Sequence, residues 1–268
     1  MGGHPFDDAI ELHATQPGRM RGKTSPDWAN MVGPFGGLTA AVLLRAIEEQ
    51  PDRIGEPVSL TVNFAAPVAD GDFDIATTAV RTNRTNQHWY AELSQGGDVK
   101  TTATAVFGAR RDTWSDTEAP PLDVPGPDEI PPGGLHPIVV WARNYEMRYV
   151  DGAIPGREAA PAPSSVTTMW VRDQHSRGLD FAALTALSDI FYPRVFLRRG
   201  AVSPAGTISL TTYFHADGRD LAAVAGDYVL ARAHANRFSR GYFDQSAQLW
   251  SRSGELLVTT HQVVYFKT

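Results

Sequence analysis

Two short segments of this chain are apolar on nearly every side of a helix, which limits the possible folds more than any other feature. Residues 36–51, GGLTAAVLLRAIEEQP, open on two glycines, run through an Ala/Leu-rich stretch and stop at Pro51. Residues 180–192, DFAALTALSDIFY, open on Asp180 as a candidate N-cap and are stopped by Pro193. Neither 40–44 nor 181–187 shows a polar stripe, and a helix of that kind is buried all round. Each is followed by four β-rich segments. The first set covers residues 56–68, 73–80, 88–94 and 99–107; the second covers 207–215, 228–234, 242–250 and 256–266. The turns QGGD at 95–98 and SRSGE at 251–255 join the last two segments of each set as hairpins. Strand-like preludes at 10–15 and 19–24, then at 144–150 and 165–172, precede the two helices. The order β-β-α-β-β-β-β therefore occurs twice. SLTVNF at 59 matches SLTTYF at 209, and GGDVKTTATAVF echoes SGELLVTTHQVVYF. An internal duplication accounts for this economically.

Between the copies lies a stretch that neither helix nor central strand survives. It holds Pro120, Pro121, Pro125, Pro127, Pro131, Pro132 and Pro137, seven of the chain's 19 prolines. Proline fixes φ and offers no backbone donor. The expected organisation is a first repeat over 1–111, a Pro-rich linker over 112–140 and a second repeat over 141–268. One all-round apolar helix per long antiparallel sheet means that the sheet wraps the helix, the hotdog arrangement. Two joined copies make a double hotdog, an α+β fold whose sheets can continue edge to edge and hide two edges.

Composition narrows the chemistry. The absence of cysteine excludes disulfides, thiolate metal sites and a cysteine nucleophile. A net charge of −6 gives no support for nucleic-acid binding. No apolar run approaches membrane-spanning length, and the opening residues lack a signal-peptide core, so a cytoplasmic protein is expected. There is no G-x-S-x-G elbow, no G-x-G-x-x-G and no P-loop lysine. The eight histidines show no metal-ligand spacing. No cofactor and no metal are expected.

Three side chains stand out. Asp189 lies in an otherwise apolar helix, where a carboxylate is costly unless paired or used. Burial would raise its pKa and suit it to act as a base; a place near the helix end, in solvent, is the plain alternative. Gln262 interrupts the β-branched run VTTHQVVYF, and its amide can hold a water with donor and acceptor together. A solvent-facing strand position would also explain it. Thr207 is an ordinary strand residue on its own. Gly36 and Gly37 could bring free helix N–H groups close to a developing oxyanion, or simply make a tight turn. An offset of 144 matches Asp189 with Arg45, so only the second copy is expected to carry the acid. Arg194, Arg198 and Arg199 read as surface arginines, and His215 as a strand-end residue.

GPFGGLTAAVLLRAI, SLTVNFAAPVADGDFDI, ALSDIFYP, GTISLTTYFH and SGELLVTTHQVVYF together resemble the acyl-CoA thioesterase II group of the double-hotdog thioesterase-like superfamily. The resemblance spans roughly 20–110 and 140–267. It implies an aspartate, a threonine and a glutamine holding one water, and those roles fall on Asp189, Thr207 and Gln262. It also implies hydrolysis of an acyl-CoA thioester, with the carbonyl oxygen at the Gly36–Gly37 helix start and the acyl chain in an apolar tunnel. One departure stands out: the family's Ile-Asp-His run after the threonine is replaced by Ile208-Ser209-Leu210. A hotdog enoyl-CoA hydratase would carry a histidine five residues after the acid, where this chain has Arg194. A non-catalytic acyl-CoA-binding hotdog protein is the other alternative. The expected partners are the acyl-CoA substrate and further copies of the chain as a homodimer or higher homo-oligomer, with no nucleic acid and no membrane.

Overall fold

A computed structural model describes residues 3–119, 121–133, 139–156 and 159–267. In the first copy, a short helix α1 (Pro5–Ala9) leads into β1 (His13–Gln16) and β2 (Arg19–Lys23). The long helix α2 (Gly36–Glu48) follows, then β3 (Glu56–Phe64), β4 (Asp72–Thr82), β5 (Asn86–Gln95) and β6 (Asp98–Gly108). The second copy supplies β7 (Tyr145–Asp151), β8 (Thr167–Asp173), α3 (Phe181–Leu187), α4 (Val195–Arg199), β9 (Ala205–Phe214) and α5 (Gly218–Val224). It closes with β10 (Val229–His234), β11 (Phe238–Ser239), β12 (Tyr242–Ser251) and β13 (Leu256–Phe266). The strands form one antiparallel sheet in the order β1-β2-β4-β5-β6-β3-β9-β13-β12-β10-β8-β7, with β11 paired to β12. This is the double hotdog expected from the sequence.

The two copies meet at β3 and β9. Thr61 pairs with Thr211 across the seam, their hydroxyls 3.0 Å apart at a separation of 150 residues. The sheet is thereby continuous, and each copy hides one edge against the other. On the concave side α2 lies with Gly37–Leu44, Ala46 and Ile47 all buried, while Arg45 reaches solvent and pairs with Glu49 at 2.7 Å. Small residues set how closely the helices approach. A Cβ added at Gly37 would lie 2.5 Å from the Ala186 carbonyl oxygen, so the start of α2 packs directly on the end of α3. Alanine at this position would overpack the contact.

The second helix is shorter than the sequence suggests. Residues 180–192 were expected to be helical; α3 stops at Leu187. Ser188 Oγ donates to the Leu184 carbonyl at 3.0 Å, and Asp189 N–H reaches only the Ala186 carbonyl, three residues back. Hydroxyl competition and three-residue bonding tighten the last turn and release the chain. Asp189 is therefore just beyond the helix, not within it. The short helices α1, α4 and α5 carry no long apolar period and have no counterpart in the sequence reading.

Residues 125–130 of the Pro-rich stretch lie against β7 and β8. Arg148 Nη1 donates to the carbonyls of Pro127 and Ile130, both at 2.8 Å, and Trp170 Nε1 donates to Pro125 at 2.9 Å. Pro120 and Pro137 fall outside the described residues. Among the described residues no helix is long and apolar enough to cross a membrane.

Candidate active site

The junction of the two helices carries an acid. Asp189 leaves the end of α3 and lies against the first turn of α2, with its Oδ2 only 2.7 Å from where a Cβ at Gly36 would stand. Gln262 Nε2, from the inner face of β13, donates to Asp189 Oδ1 at 2.8 Å. Burial pushes the Asp189 carboxyl up to about 7, against the opposing pull of the Gln262 amide and the Gly37 backbone N–H. At neutral pH the group is poised between acid and carboxylate. A buried carboxyl raised this far and lining a cavity marks a candidate site.

Thr207 completes the group. Its hydroxyl donates to Gln262 Oε1 across a long 3.4 Å contact. A β-bulge between Val263 and Val264 aims it: Val263 faces Ser209, while Val264 faces Thr207, so one extra residue sits on β9. Asp189, Thr207 and Gln262 thus form one connected set, brought together from three separate elements. Gly36 and Gly37 sit beside them. The Gly37 N–H is turned towards the Asp189 carboxylate, and Gly36, as the first residue of α2, has no carbonyl a turn back to bond.

Two spaces meet at Asp189 and Thr207. On one side lies a cavity of about 150 Å³, walled by Phe35, Trp141, Tyr149, Phe191 and Phe196. Phe35 and Trp141 stack with ring centroids 4.1 Å apart, which fixes one wall. On the other side lies a wider groove of about 670 Å³, formed by Pro34, Gly36, Phe64, Pro67 and Pro204. The carboxylate stands at the waist between a narrow aromatic chamber and an open channel.

The first copy has no such site, and the strand register shows why. About the Thr61–Thr211 seam, Leu60 corresponds to Leu210. Leu210 pairs with Gln262, which pairs with Gln245 on β12; Leu60 pairs with Ala105, which pairs with Trp89 on β5. The bulge recurs too, with Pro57 in the place of Thr207. Pro, Ala and Trp stand in the first copy where Thr, Gln and Gln stand in the second. The Trp89 indole is buried and tied to Gln87 Oε1 at 2.9 Å, occupying its side of the barrel.

One sequence expectation needs correction here. Arg45, matched to Asp189 by offset, is exposed. An acid of the first copy, Glu48, lies at the opposite end of the helix pair, where burial and the nearby Asp180 raise its carboxyl to about 7. Arg194 is not a surface arginine. It is fully buried, its guanidinium donating to the backbone carbonyls of Tyr192 and Ser165 and to the Thr167 hydroxyl. It pins the segment 192–193 that walls the cavity. Arg198 and Arg199 are exposed as expected. His215, expected as a strand-end residue, lies exposed just past the end of β9, with Nε2 3.0 Å from the Thr259 hydroxyl.

One cavity residue escaped the sequence reading: Gln245, buried and directly opposite Gln262. The inward positions of β12 are Phe243, Gln245, Ala247 and Leu249, so a polar residue in an apolar period-two series was the available signal.

The model of the acyl-CoA thioesterase C-terminal domain matches residues 116–266, and that of the N-terminal domain matches 24–108. A conserved protein of unknown function with a hot dog fold from Alicyclobacillus acidocaldarius is similar at 43% identity and TM-score 0.95, covering 100% of this chain and 99% of that one. The tesB protein of Mycobacterium avium subsp. paratuberculosis shares the fold at 19% identity and TM-score 0.81, with 98% of each chain covered. An acyl-CoA thioesterase II from Mycobacterium marinum does so at 15% identity and TM-score 0.76, again over 98% of both chains. No curated protein matches the sequence. Fold and both domain matches agree, and the chain belongs to the acyl-CoA thioesterase family.

Proposed function

We propose that this chain hydrolyses an acyl-CoA thioester to the free acid and CoA, using a water activated by Asp189. The observation that carries this reading is the position of the carboxylate at the waist between the aromatic chamber and the open groove. A thioester carbonyl at that waist would send its acyl group into the chamber and its pantetheine arm into the groove. Gln262 and Thr207 would hold the water beside Asp189. The carboxylate takes the water's proton as the hydroxyl oxygen bonds to the carbonyl carbon. The tetrahedral oxyanion forms against the first turn of α2, where Gly36 N–H is available. One such donor contributes about 3–4 kcal/mol of transition-state stabilisation. Collapse expels the CoA thiolate, which takes up the proton. No covalent enzyme intermediate is needed.

Among the described residues no histidine lines the chamber, which separates this site from an acid–histidine hydratase. The outer face of the sheet at the seam carries Val58, Ile208, Tyr213, Val263 and Tyr265, all exposed, which supports a homo-oligomer built on that face. We place the protein in the cytoplasm, where acyl-CoA is made and used. The reading is tested by following free thiol release from a panel of acyl-CoA substrates. Release from at least one that is lost in Asp189→Asn supports it. A panel bound but never hydrolysed by the native protein overturns it in favour of acyl-CoA binding alone.

A further inference from the structure

The chamber contains one polar group that the hydrolytic mechanism leaves unused. Gln245 is 1% exposed, and its Nε2 has no hydrogen-bond partner among the described residues. The residue lines the same chamber as Asp189 and Gln262, on the same inner face, one strand further from the acid. An unpartnered buried amide carries its full desolvation cost. The first copy shows what the fold accepts when nothing is to be bound there: an indole, Trp89, whose nitrogen is satisfied by Gln87. In the second copy the same rung keeps an amide and an empty space. A chamber of about 150 Å³ has the size of a single aromatic ring or a chain of about six carbons.

We propose that Gln245 is a specificity-determining residue that reads an oxygen on the acyl group, so that the preferred substrates are compact, ring-sized acyl thioesters carrying a hydroxyl away from the carbonyl. This rests on the thioesterase reading given above. On binding, the Gln245 amide turns its enclosed Nε2 towards the acyl hydroxyl, which accepts the hydrogen bond and restores the missing partner. An acyl group without that oxygen leaves the amide orphaned in the complex. Sites built to bond a hydroxyl discriminate strongly against the analogue lacking it. Gln245 does not touch the reacting carbon; its effect is on which acyl group enters.

The test compares matched pairs: phenylacetyl-CoA against its ortho-, meta- and para-hydroxy derivatives, and hexanoyl-CoA against 3-hydroxyhexanoyl-CoA. The native protein is expected to favour one hydroxylated member over its parent at least tenfold in kcat/KM. In Gln245→Leu, and in the unbranched Gln245→Met, that ratio is expected to fall to about one. Thermal melts of both variants should match or exceed the native protein, since a buried unpaired amide is removed. Calorimetric binding of the same pairs to Asp189→Asn reads recognition without hydrolysis. A preference in binding with no turnover by the native protein overturns the thioesterase reading and leaves Gln245 as the reader. Turnover without preference, within twofold across all pairs, overturns the role of Gln245 and leaves the thioesterase reading intact. So does a preference that survives in both Gln245 variants.

Discussion

Replacing Asp189 by asparagine separates chemistry from stability in one molecule. The amide keeps the size of the carboxylate and an oxygen for the Gln262 donor now held at 2.8 Å. It removes the base, and general-base loss costs about 10²–10⁴-fold in rate. The effect on stability follows from the carboxyl's move from 3.8 to about 7 on burial. Each unit is worth about 1.4 kcal/mol, so the ionised carboxylate costs the fold about 4 kcal/mol at most above pH 7. The sign is that of a raised acid: the folded state binds the proton more tightly, so stability is complete below pH 4 and is lost as pH rises through 7. Asparagine carries no such penalty but turns an N–H towards the Gly37 N–H, which returns part of the gain. A stabilisation of about 1–3 kcal/mol is expected at pH 8, vanishing near pH 4. For a chain of this length that is a rise of a few degrees in Tm. The assay pairs thiol-release kinetics with melts at pH 4, 6 and 8. A variant that hydrolyses its best substrate at the native rate, or whose stability gain is the same at all three pH values, would refute the role given to this carboxylate.

Gln262→Leu removes the donor that favours the ionised carboxylate; the midpoint of the pH–rate profile should shift above the native value near 7, and a midpoint that stays or falls counts against the contact. Thr207→Val, which loses only the long 3.4 Å contact to Gln262, is expected to lower kcat by about tenfold with an unchanged melt. Gly37→Ala should destabilise by about 1–3 kcal/mol in denaturant melts, because its Cβ would meet the Ala186 carbonyl at 2.5 Å, whereas Gly36→Ala, whose Cβ meets Asp189 Oδ2 at 2.7 Å, should cost activity first. Light scattering at micromolar concentration should give at least twice the chain mass, and Tyr213→Glu on the seam face should reduce it; a native monomer excludes the proposed assembly.

Much of the fold was legible because the duplication is written in apolar periodicity. Two all-round apolar helices and two sets of alternating strands leave few arrangements that bury both. The boundary of α3 was not legible, since it depends on Ser188 capturing the Leu184 carbonyl, a contact that residue types alone do not announce. Arg194 misled for a related reason: its donors are met by backbone carbonyls, and no charge pattern in sequence reveals such partners. Asp189, Gln262 and Thr207 were individually ambiguous, and the family resemblance singled them out together. Gln245 was passed over although its inward position in β12 broke an apolar alternation as plainly as Gln262 did in β13.

The seam between β3 and β9 also governs how the chain is made. When Phe64 has left the ribosome, its strand has β6 to come on one side and nothing on the other until β9 appears, with Ala205 the first residue of that strand. At about 5–20 residues per second, that interval lasts on the order of ten seconds, with an open edge exposed in the nascent protein. The strand meets the delay with its own sequence. Pro57 blunts one end, and Ser59, Thr61 and Asn63 alternate with the inward Leu60 and Val62, so beyond Val58 its outward face is polar. Substitutions at Ser59 and Asn63 that make this strand apolar on both faces are expected to lower the yield of folded protein during synthesis.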